Sequence, residues 1–389
     1  MNKCVNTCIS TSMTHEQWHA ARRILCIRLD YLGDVLMSTP AMRALKHTLP
    51  DSRLTLLSSP GGVAAARFIP EVDEVISYTA PWMKSSAPQS ARVDMNMIAE
   101  LARHRFDAAV IFTVYSQNPL PAALLCHLAG IPLRLAHCRE NPYRLLSDWV
   151  PDTEPHTGLR HEVQRQLDLV ASVGMHTEDQ SLSFRVPSAD IAWAWERLRT
   201  LGVDSAHPWI LLHPGASAPS RRYPARHWTD VARLLATQLD CPLVFSGNED
   251  EVALVEHVRD GAPQTHSLAG QLDLGKLAAV ISLAPLLISN NTGPAHIAAA
   301  VGTPLVDLYA LTNPQHTPWQ VPNRVLFHDV PCRFCYKSAC PQGHHHCLEL
   351  VEPQRVVSAA VELLNETAAG LIATLQRARH DAIHPLPPC

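Results

Sequence analysis

Four polar stretches of the chain each follow an apolar, strand-like run and carry side chains that could do chemistry. They are RLDYLGDVLMSTP (28–40), HPGASAPSRRYP (213–224), SGNEDE (246–251) and SNNTGPAHIAAAVGTP (289–304). In open parallel sheets, ligands bind in the crevice beyond the carboxyl ends of the strands. The four stretches are therefore the candidate binding and catalytic loops.

The stretch 289–304 has the composition of a helix start that binds an anion. Asn291 or Thr292 suits the N-cap position, and Gly293 permits a close approach of the backbone. His296 would project near the first turn, and Gly302 is typical of a helix end. Because N–H groups and a positive dipole end meet at a helix N-terminus, a phosphate site is indicated. A capped helix without a ligand explains the same residues equally well.

The stretch 213–224 combines small residues, among them Ser217, with Arg221 and Arg222. Guanidinium groups suit a diphosphate, because they donate several hydrogen bonds and stay charged. A solvated loop with two surface arginines is the alternative. Taken with 289–304, this stretch predicts a nucleotide-diphosphate site on the second half of the chain.

The stretch 28–40 supplies a carboxylate. Asp34 follows Gly33 at a predicted helix start, where it could accept a proton from a substrate hydroxyl. A helix cap is the commoner role for such an Asp and is favoured by the spacing alone. Asp30 is a weaker rival for the base. No Asp-x-Asp pair occurs in the chain, so a metal-bridged diphosphate is unsupported, and cationic side chains and helix dipoles would have to stabilise it.

Composition restricts the class of protein. The 389 residues are 47% hydrophobic and 17% charged, with a formal net charge of −4, which is typical of a globular protein and gives no nucleic-acid footprint. The N-terminus has no apolar signal core, and no apolar run reaches the ~18 residues of a membrane span. We therefore expect a cytoplasmic protein whose 11 cysteines are mostly thiols. Peripheral contact with the cytoplasmic face of the inner membrane is left open.

Strand-like and helix-like runs alternate twice along the chain, which predicts two α/β domains with parallel sheets. We place an N-terminal extension at 1–21, a first domain at 22–195, a second at 205–365 and a C-terminal helix or tail at 366–389. The segment 138–165 is interpreted as irregular.

Three motifs together resemble the ADP-heptose:lipopolysaccharide heptosyltransferases of glycosyltransferase family 9. They are IRLDYLGDVLMSTPAMRALKHTLPDSRLTLL, LLHPGASAPSRRYPARHW and SNNTGPAHIAAAVGTPLVDLY, and the resemblance covers 23–364. It implies a GT-B fold, with two Rossmann-like domains whose parallel sheets face each other across a cleft. It also implies inverting, metal-independent transfer of heptose from ADP-heptose to the lipopolysaccharide inner core or a related glycan, without a cofactor. The first domain would bind the acceptor and the second the sugar nucleotide.

The resemblance also assigns roles to residues. Asp34 corresponds to the catalytic Asp and Arg221 to a basic residue that is often Lys in the family. The family's Asp-Thr-Gly and following His fall on Asn291, Thr292, Gly293 and His296, the ribose-binding acidic residue on Glu249, and the adenine-side apolar residue on Leu272. Asn291 in place of Asp leaves the donor open between ADP-heptose and another sugar nucleotide. Two alternative functions remain open: a GT-B sugar-nucleotide epimerase, and a non-catalytic sugar-nucleotide-binding protein.

Three further segments attract attention. The stretch CRFCYKSACPQGHHHC has a cysteine spacing similar to that of zinc sites. It makes Cys332, Cys335, Cys340 and Cys347 candidate structural ligands of a metal, with a packed thiol cluster as the favoured alternative.

Five arginines could bind an anionic acceptor, although a mixed solvated surface is the favoured interpretation. They are Arg134, Arg139, Arg144, Arg160 and Arg165. The segment 364–381 could lie on a membrane surface or pack against the body as a helix.

Overall fold

The computed structural model describes residues 15–84, 90–203, 208–262 and 265–367. Contacts divide the chain into two compact units, Met1–Arg185 and Val186–Cys389. Several predictions lie outside the described residues: those on the extension up to residue 14, on the thiol state of Cys4, Cys8 and Cys389, and on the tail beyond residue 367.

The first unit is a six-stranded parallel sheet with helices, in the strand order β3-β2-β1-β4-β5-β6. Its elements are α1 (15–19), β1 (Arg23–Arg28), α2 (Leu32–Met37), α3 (Thr39–Thr48), β2 (Arg53–Ser58), α4 (Pro60–Ala66), β3 (Glu74–Ser77), α5 (Ala91–His104), β4 (Ala108–Ile111), α6 (Leu120–Leu128), β5 (Leu133–Cys138), β6 (Asp148–Pro151) and α7 (Glu162–Ala171).

The second unit is also a six-stranded parallel sheet, in the order β12-β11-β10-β7-β8-β9. Its elements are α8 (Ser188–Thr200), β7 (Ile210–His213), α9 (Ala225–Leu239), β8 (Leu243–Phe245), α10 (Val252–Arg259), β9 (Thr265–Ser267), α11 (Leu274–Leu283), β10 (Leu287–Asn290), α12 (Gly293–Val301), β11 (Leu305–Leu308), β12 (Asn323–Leu326), α13 (His346–Glu349) and α14 (353–367), with 3₁₀ turns at Pro219–Arg221 and Glu249–Glu251.

The alternating pattern predicts most of these elements correctly. Residues 225–239, ARHWTDVARLLATQL, predict an amphipathic helix, and α9 has these bounds. Its buried residues recur at helical spacing, at Trp228, Val231, Ala232 and Leu235. Residues 34–49, DVLMSTPAMRALKHTL, are helix-like in sequence and predict a single helix, and this prediction is wrong. The helix is broken at Ser38, and α3 starts with Pro40 in its first turn, where Pro is favoured because that N–H is not needed.

The segment 138–165 was expected to be irregular, and this is correct for 139–147 and 152–161 only. It contains the edge strand β6 and leads into α7. Arg165 is buried and forms ion pairs with Asp152 and Glu154. The guanidinium of Arg134 is also buried and donates to the backbone carbonyls of Leu145 and Arg144 at 2.7 and 2.8 Å. These two arginines therefore hold the fold together, and neither an acceptor surface nor a solvated surface describes them.

Each sheet has one switch point, where the strand order reverses and a crevice forms at the carboxyl ends of the strands. In the first unit it lies between β1 and β4, and in the second between β7 and β10. The loops after these four strands are the ones that the topology brings together. Within the described part of the chain, no helix has the length and apolarity to cross a membrane.

Candidate functional site

The two predicted anion-binding loops lie side by side at the switch point of the second unit. Strands β7 and β10 are parallel neighbours, with Ser289 opposite His213. The loop 214–224 and the start of α12 therefore leave the same edge of the sheet next to each other.

Asn290 joins these two loops, although the sequence did not single it out. Its buried side-chain amide donates to the carbonyls of Pro214 and Gly215 at 2.8 and 3.2 Å. Its side-chain oxygen accepts from the backbone N–H of Tyr223 at 3.1 Å. Gly215 leaves room for Glu251, because a Cβ at this position would clash with its carboxylate and the Glu251 side chain would have to shift. The loop is thus held in one conformation from both sides.

Arg221 and Arg222 have different surroundings. Arg222 Nε donates to the carbonyl of Ala216 at 2.8 Å, so its guanidinium braces the loop. Arg221 is half-buried, and its NH1 donates to the carbonyl of Asn291 at 3.3 Å. Ser217 is exposed in the same loop. Arg221 is therefore the cation placed between the two anion-binding loops.

Helix α12 begins and ends as its sequence predicts. Thr292 is the N-cap residue, Pro294 lies in the first turn, and Gly302 closes the helix in the left-handed conformation (φ 81°). The Thr292 hydroxyl makes no capping bond and donates to the carbonyl of Asn290 at 3.2 Å. His296 is buried in the first turn, with its ring 6.5 Å from that of His316. The positive end of α12 thus lies beside Arg221 and favours an anion.

The remaining donor candidates continue along the same sheet edge. Glu249 is exposed in the loop after β8, and Leu272 is half-buried in the loop after β9. Because the strand order runs β10-β7-β8-β9, the loops bearing Asn291, Ser217, Glu249 and Leu272 succeed one another. With ~4.8 Å between neighbouring strands, this row spans about 14 Å.

A cluster of carboxylates surrounds one arginine at the switch point of the first unit. Arg28, fully buried at the end of β1, has Nε 2.9 Å from Asp30, NH2 3.2 Å from Asp34 and NH1 2.7 Å from Glu162. Glu162 is also fully buried, and it accepts from Gln166 at 2.7 Å. Burial raises the pKa of Asp30 to about 6, with the charge of Arg28 opposing the rise and that of Asp34 adding to it.

Asp34 is the most exposed carboxylate of this cluster. Its side chain is 20% exposed, against 14% for Asp30 and none for Glu162. The cap interpretation of Asp34 is wrong, because the N-cap residue of α2 is Tyr31 and Asp34 lies in the first turn. Its carboxylate is held in place by Arg28. A carboxylate held in this way can accept a proton from a bound hydroxyl.

Asp307 was not singled out from the sequence, although it is a lone charge within the strand-like PLVDLYAL. It lies in β11, opposite Ser289, and is fully buried. Neither of its carboxylate oxygens has a hydrogen-bond partner within the described residues. Burial raises its pKa well above the ordinary range, and the charge of Arg221 opposes this rise. The second unit thus buries, near its anion-binding loops, a carboxyl group whose neutral form is favoured by burial.

We expect Asp307→Asn to raise the melting temperature, by a margin that widens with pH. Above pH ~4 the unfolded chain loses the Asp proton while the folded protein keeps it, so the stability of the wild type falls as the pH rises toward the raised folded pKa. Asn removes this dependence. Thermal denaturation at pH 5 to 8 measures the margin, since ~1 kcal/mol shifts Tm by roughly 2–4 °C in a domain of this size. A variant with a lower Tm and an unchanged pH dependence would show instead that Asp307 is ionised and paired with Arg221.

The cysteine-rich segment forms a cluster of free thiols. One small cavity is lined by Cys332, Cys335, Cys340, Cys347, His344 and His345. Cys332 Sγ is 3.8 Å from His344 Nε2. Burial raises the pKa of the Cys340 thiol, but backbone N–H groups, led by that of His345, bring it below its usual value. Among the residues that the structure describes, no group of three or more His, Cys, Asp or Glu is arranged to hold a metal ion.

Sequence comparisons agree on one family. The model of glycosyltransferase family 9 (heptosyltransferase) matches residues 95–346. Lipooligosaccharide heptosyltransferase 2 of Haemophilus ducreyi is 26% identical over 359 residues, covering 88% of this chain and 99% of that protein. Lipopolysaccharide heptosyltransferase 2 of Escherichia coli K12 is 25% identical over 361 residues, covering 89% and 100%.

Two solved structures share the fold. The family 9 glycosyl transferase of Veillonella parvula has a TM-score of 0.73 at 23% identity, covering 89% of this chain and 98% of that one. The ADP-heptose heptosyltransferase II of E. coli has a TM-score of 0.69 at 24% identity, covering 89% and 99%. With the two parallel-sheet units, these likenesses confirm the predicted GT-B fold.

Proposed function

Because this chain belongs to glycosyltransferase family 9, the heptosyltransferases, we propose that it transfers heptose from ADP-heptose to a hydroxyl of the lipopolysaccharide core. The reaction inverts the anomeric configuration and uses no metal. It takes place in the cytoplasm, with peripheral contact to the inner membrane, where a lipid-anchored acceptor is presented.

The observation that carries the donor assignment is the pairing of the two loops at the β7/β10 switch point. Asn290 fixes these loops to each other, and Arg221 reaches from one to the other. A diphosphate there would meet a guanidinium, the N-terminus of α12 and the hydroxyls of Ser217 and Thr292. The order of the loops along the sheet edge supports the assignment of Glu249 to the ribose and of Leu272 to the base.

The proton transfer is assigned to Asp34. As the acceptor oxygen attacks the anomeric carbon, its proton passes to the Asp34 carboxylate, and the bond from that carbon to the diphosphate breaks. A single displacement of this kind inverts the anomeric carbon. Arg28 keeps the carboxylate oriented, and its other two carboxylate partners balance its charge.

Negative charge grows on the leaving ADP, and side chains of the second unit stabilise it. Arg221 is the central cation, because Arg222 is engaged with the loop carbonyls. Because this hydrogen-bond donor is already held in position, it can stabilise the developing charge without rearranging during the reaction. The chain lacks an Asp-x-Asp pair, which supports the assignment of this role to Arg221 and the helix dipole rather than to a metal.

Asn291 bears on the choice of donor. It is buried beside the first turn of α12, and its carbonyl accepts from Arg221. An amide here adds no negative charge beside the diphosphate, so Arg221 keeps its full attraction for the leaving group. We therefore retain ADP-heptose as the donor and treat other sugar nucleotides as an outcome of the test.

The purified protein, incubated with ADP-heptose and a heptose-deficient lipopolysaccharide core, is expected to add one heptose, as measured by mass spectrometry. Activity should persist in EDTA, and NMR of the product should show an inverted anomeric configuration. Donor turnover without an acceptor would favour an epimerase. Binding of ADP-heptose without any turnover would favour a non-catalytic binding protein. Turnover with a different sugar nucleotide would show that Asn291, where the family often has Asp, changes which donor is used.

A further inference from the structure

A cavity of about 260 Å³ opens at the switch point of the first unit. Its walls come from the ends of β1 and β4, the loop that follows β4, and the loop after β3. It has two chemically different sides: a polar side with Asp30, Thr113 and Gln117, and an apolar side with Trp82 and Met83. Apart from Asp30, which is paired with Arg28, no residue of this lining has a role described above.

The polar side presents hydrogen-bonding groups that are held in place. Gln117 Nε2 donates to Asp30 at 2.6 Å, and its Oε1 accepts from the backbone N–H of Val114 at 3.2 Å. Thr113 is 8% exposed, and its hydroxyl has no partner within the described residues. A buried hydroxyl without a partner costs free energy. Rotation of the Thr113 side chain about χ1 would turn this hydroxyl into the cavity, where a ligand hydroxyl would supply the partner.

The apolar side is anchored as well. The rings of Trp82 and Tyr78 meet edge to face, with centroids 5.8 Å apart at 64°. The Tyr78 hydroxyl in turn donates to Asp94 at 2.8 Å. Trp82 is therefore a supported aromatic surface, of the kind that packs against the apolar face of a sugar ring.

The charge of the cavity selects against an acidic ligand. Among its described lining residues there is no Arg, Lys or His, and Asp30 is the one charged group. The nearby Arg28 is already matched by three carboxylates. The carboxylate of a sugar acid would thus lie near Asp30 without a cation to balance it, which is unfavourable.

We propose that this cavity is an acceptor subsite that binds an uncharged pyranose ring, with Trp82 against one face of the ring and Thr113 and Gln117 bonded to its hydroxyls. The inference rests on the transfer proposed above. Asp30 in the cavity and the base Asp34 contact the same guanidinium, so a ring bound here brings a hydroxyl beside Asp34.

Binding can be tested without turnover, by NMR titration of the full chain. The probes are the methyl glycosides of a heptose and of glucuronic acid. We expect the heptoside to bind at least ~10-fold more tightly than the glucuronide. Thr113→Val, which keeps the shape and removes the hydroxyl, should weaken heptoside binding about 3- to 10-fold, and Trp82→Leu should weaken it by ~10-fold. Trp149→Leu is the matched control, because Trp149 is exposed on β6 and does not line the cavity.

The same variants in the transfer assay should raise the acceptor KM by similar factors and leave kcat and the donor KM unchanged, which a loss of folding would not do. Transfer by the wild type with an unaltered acceptor KM in both variants would overturn the subsite and leave the transferase intact. Absence of transfer, together with heptoside binding that the variants weaken, would support the subsite and reject the proposed donor. Equal binding of heptoside and glucuronide would overturn the selection against charge.

Discussion

Replacing Asp34 by Asn is expected to lower kcat/KM for heptose transfer by about 10²–10⁴-fold, the range that a positioned general base contributes. The amide keeps the size of the carboxylate but cannot accept the acceptor proton. Arg28 retains Asp30 and Glu162 as partners, so the fold should survive. Initial rates of ADP release measure the loss, and calorimetry should find ADP binding unchanged, because Asp34 belongs to the other unit.

Two further variants make this test specific. Asp190→Asn is the matched control, since Asp190 also occupies the first turn of a helix and a loss of helix-dipole stabilisation alone would affect both variants. Asp30→Asn should mainly raise the acceptor KM. If Asp30→Asn abolished transfer while Asp34→Asn retained it, the two roles would be exchanged. Equal activity of Asp34→Asn and wild type would remove the base from the mechanism.

Arg221→Ala should lower kcat by about 10²–10³-fold, the typical effect of removing one preorganised donor from a site where charge develops. The loss should exceed any rise in the donor KM, because the charge on the diphosphate is greatest as the bond to the sugar breaks. Arg221→Lys should recover only part of the activity. The planar guanidinium can donate to the Asn291 carbonyl and to the diphosphate at once, whereas the compact ammonium of Lys cannot. Steady-state kinetics with ADP-heptose as the varied substrate separate the two parameters.

Arg226→Ala is the control for Arg221. Arg226 lies in the first turn of α9 and is 64% exposed, with Glu349 as its ion-pair partner. Its removal should leave both parameters near wild type. Arg222→Ala should lower stability as well as activity, because its guanidinium braces the loop carbonyls. If Arg221→Ala lost donor affinity and activity in equal proportion, the role of Arg221 would be ground-state binding alone.

The success of the fold prediction varied with burial. The central strands and α9 bury long apolar runs, so their periods are clear in the sequence. Strands β6 and β12 were not predicted. Both are four-residue edge strands with partly exposed side chains. A short edge strand buries little, so its hydrophobic pattern is weak, and of the four edge strands only β3 and β9 were predicted.

The candidate site was predictable where its residues lie close together in the sequence. Asp34, Arg221 and the 289–304 stretch were found because a strand, a polar loop and a helix start succeed one another in each motif. Glu162 was missed because it meets Arg28 across 134 positions. Asn290 was missed because the sequence shows it only as one polar residue among several. Its role depends on hydrogen bonds to a loop that lies 76 positions away in the chain.

The sequence by itself determined the family, the two runs of strands and helices, and the loops that carry the donor and base candidates, since all of these are written in local patterns and motifs. Tertiary structure alone decided which loops are neighbours, that Asp34 faces Arg28 instead of capping its helix, and that Thr113, Trp82 and Asp30 line one cavity. Strand order and the burial of charge are properties of contacts between distant segments, and no local pattern encodes them.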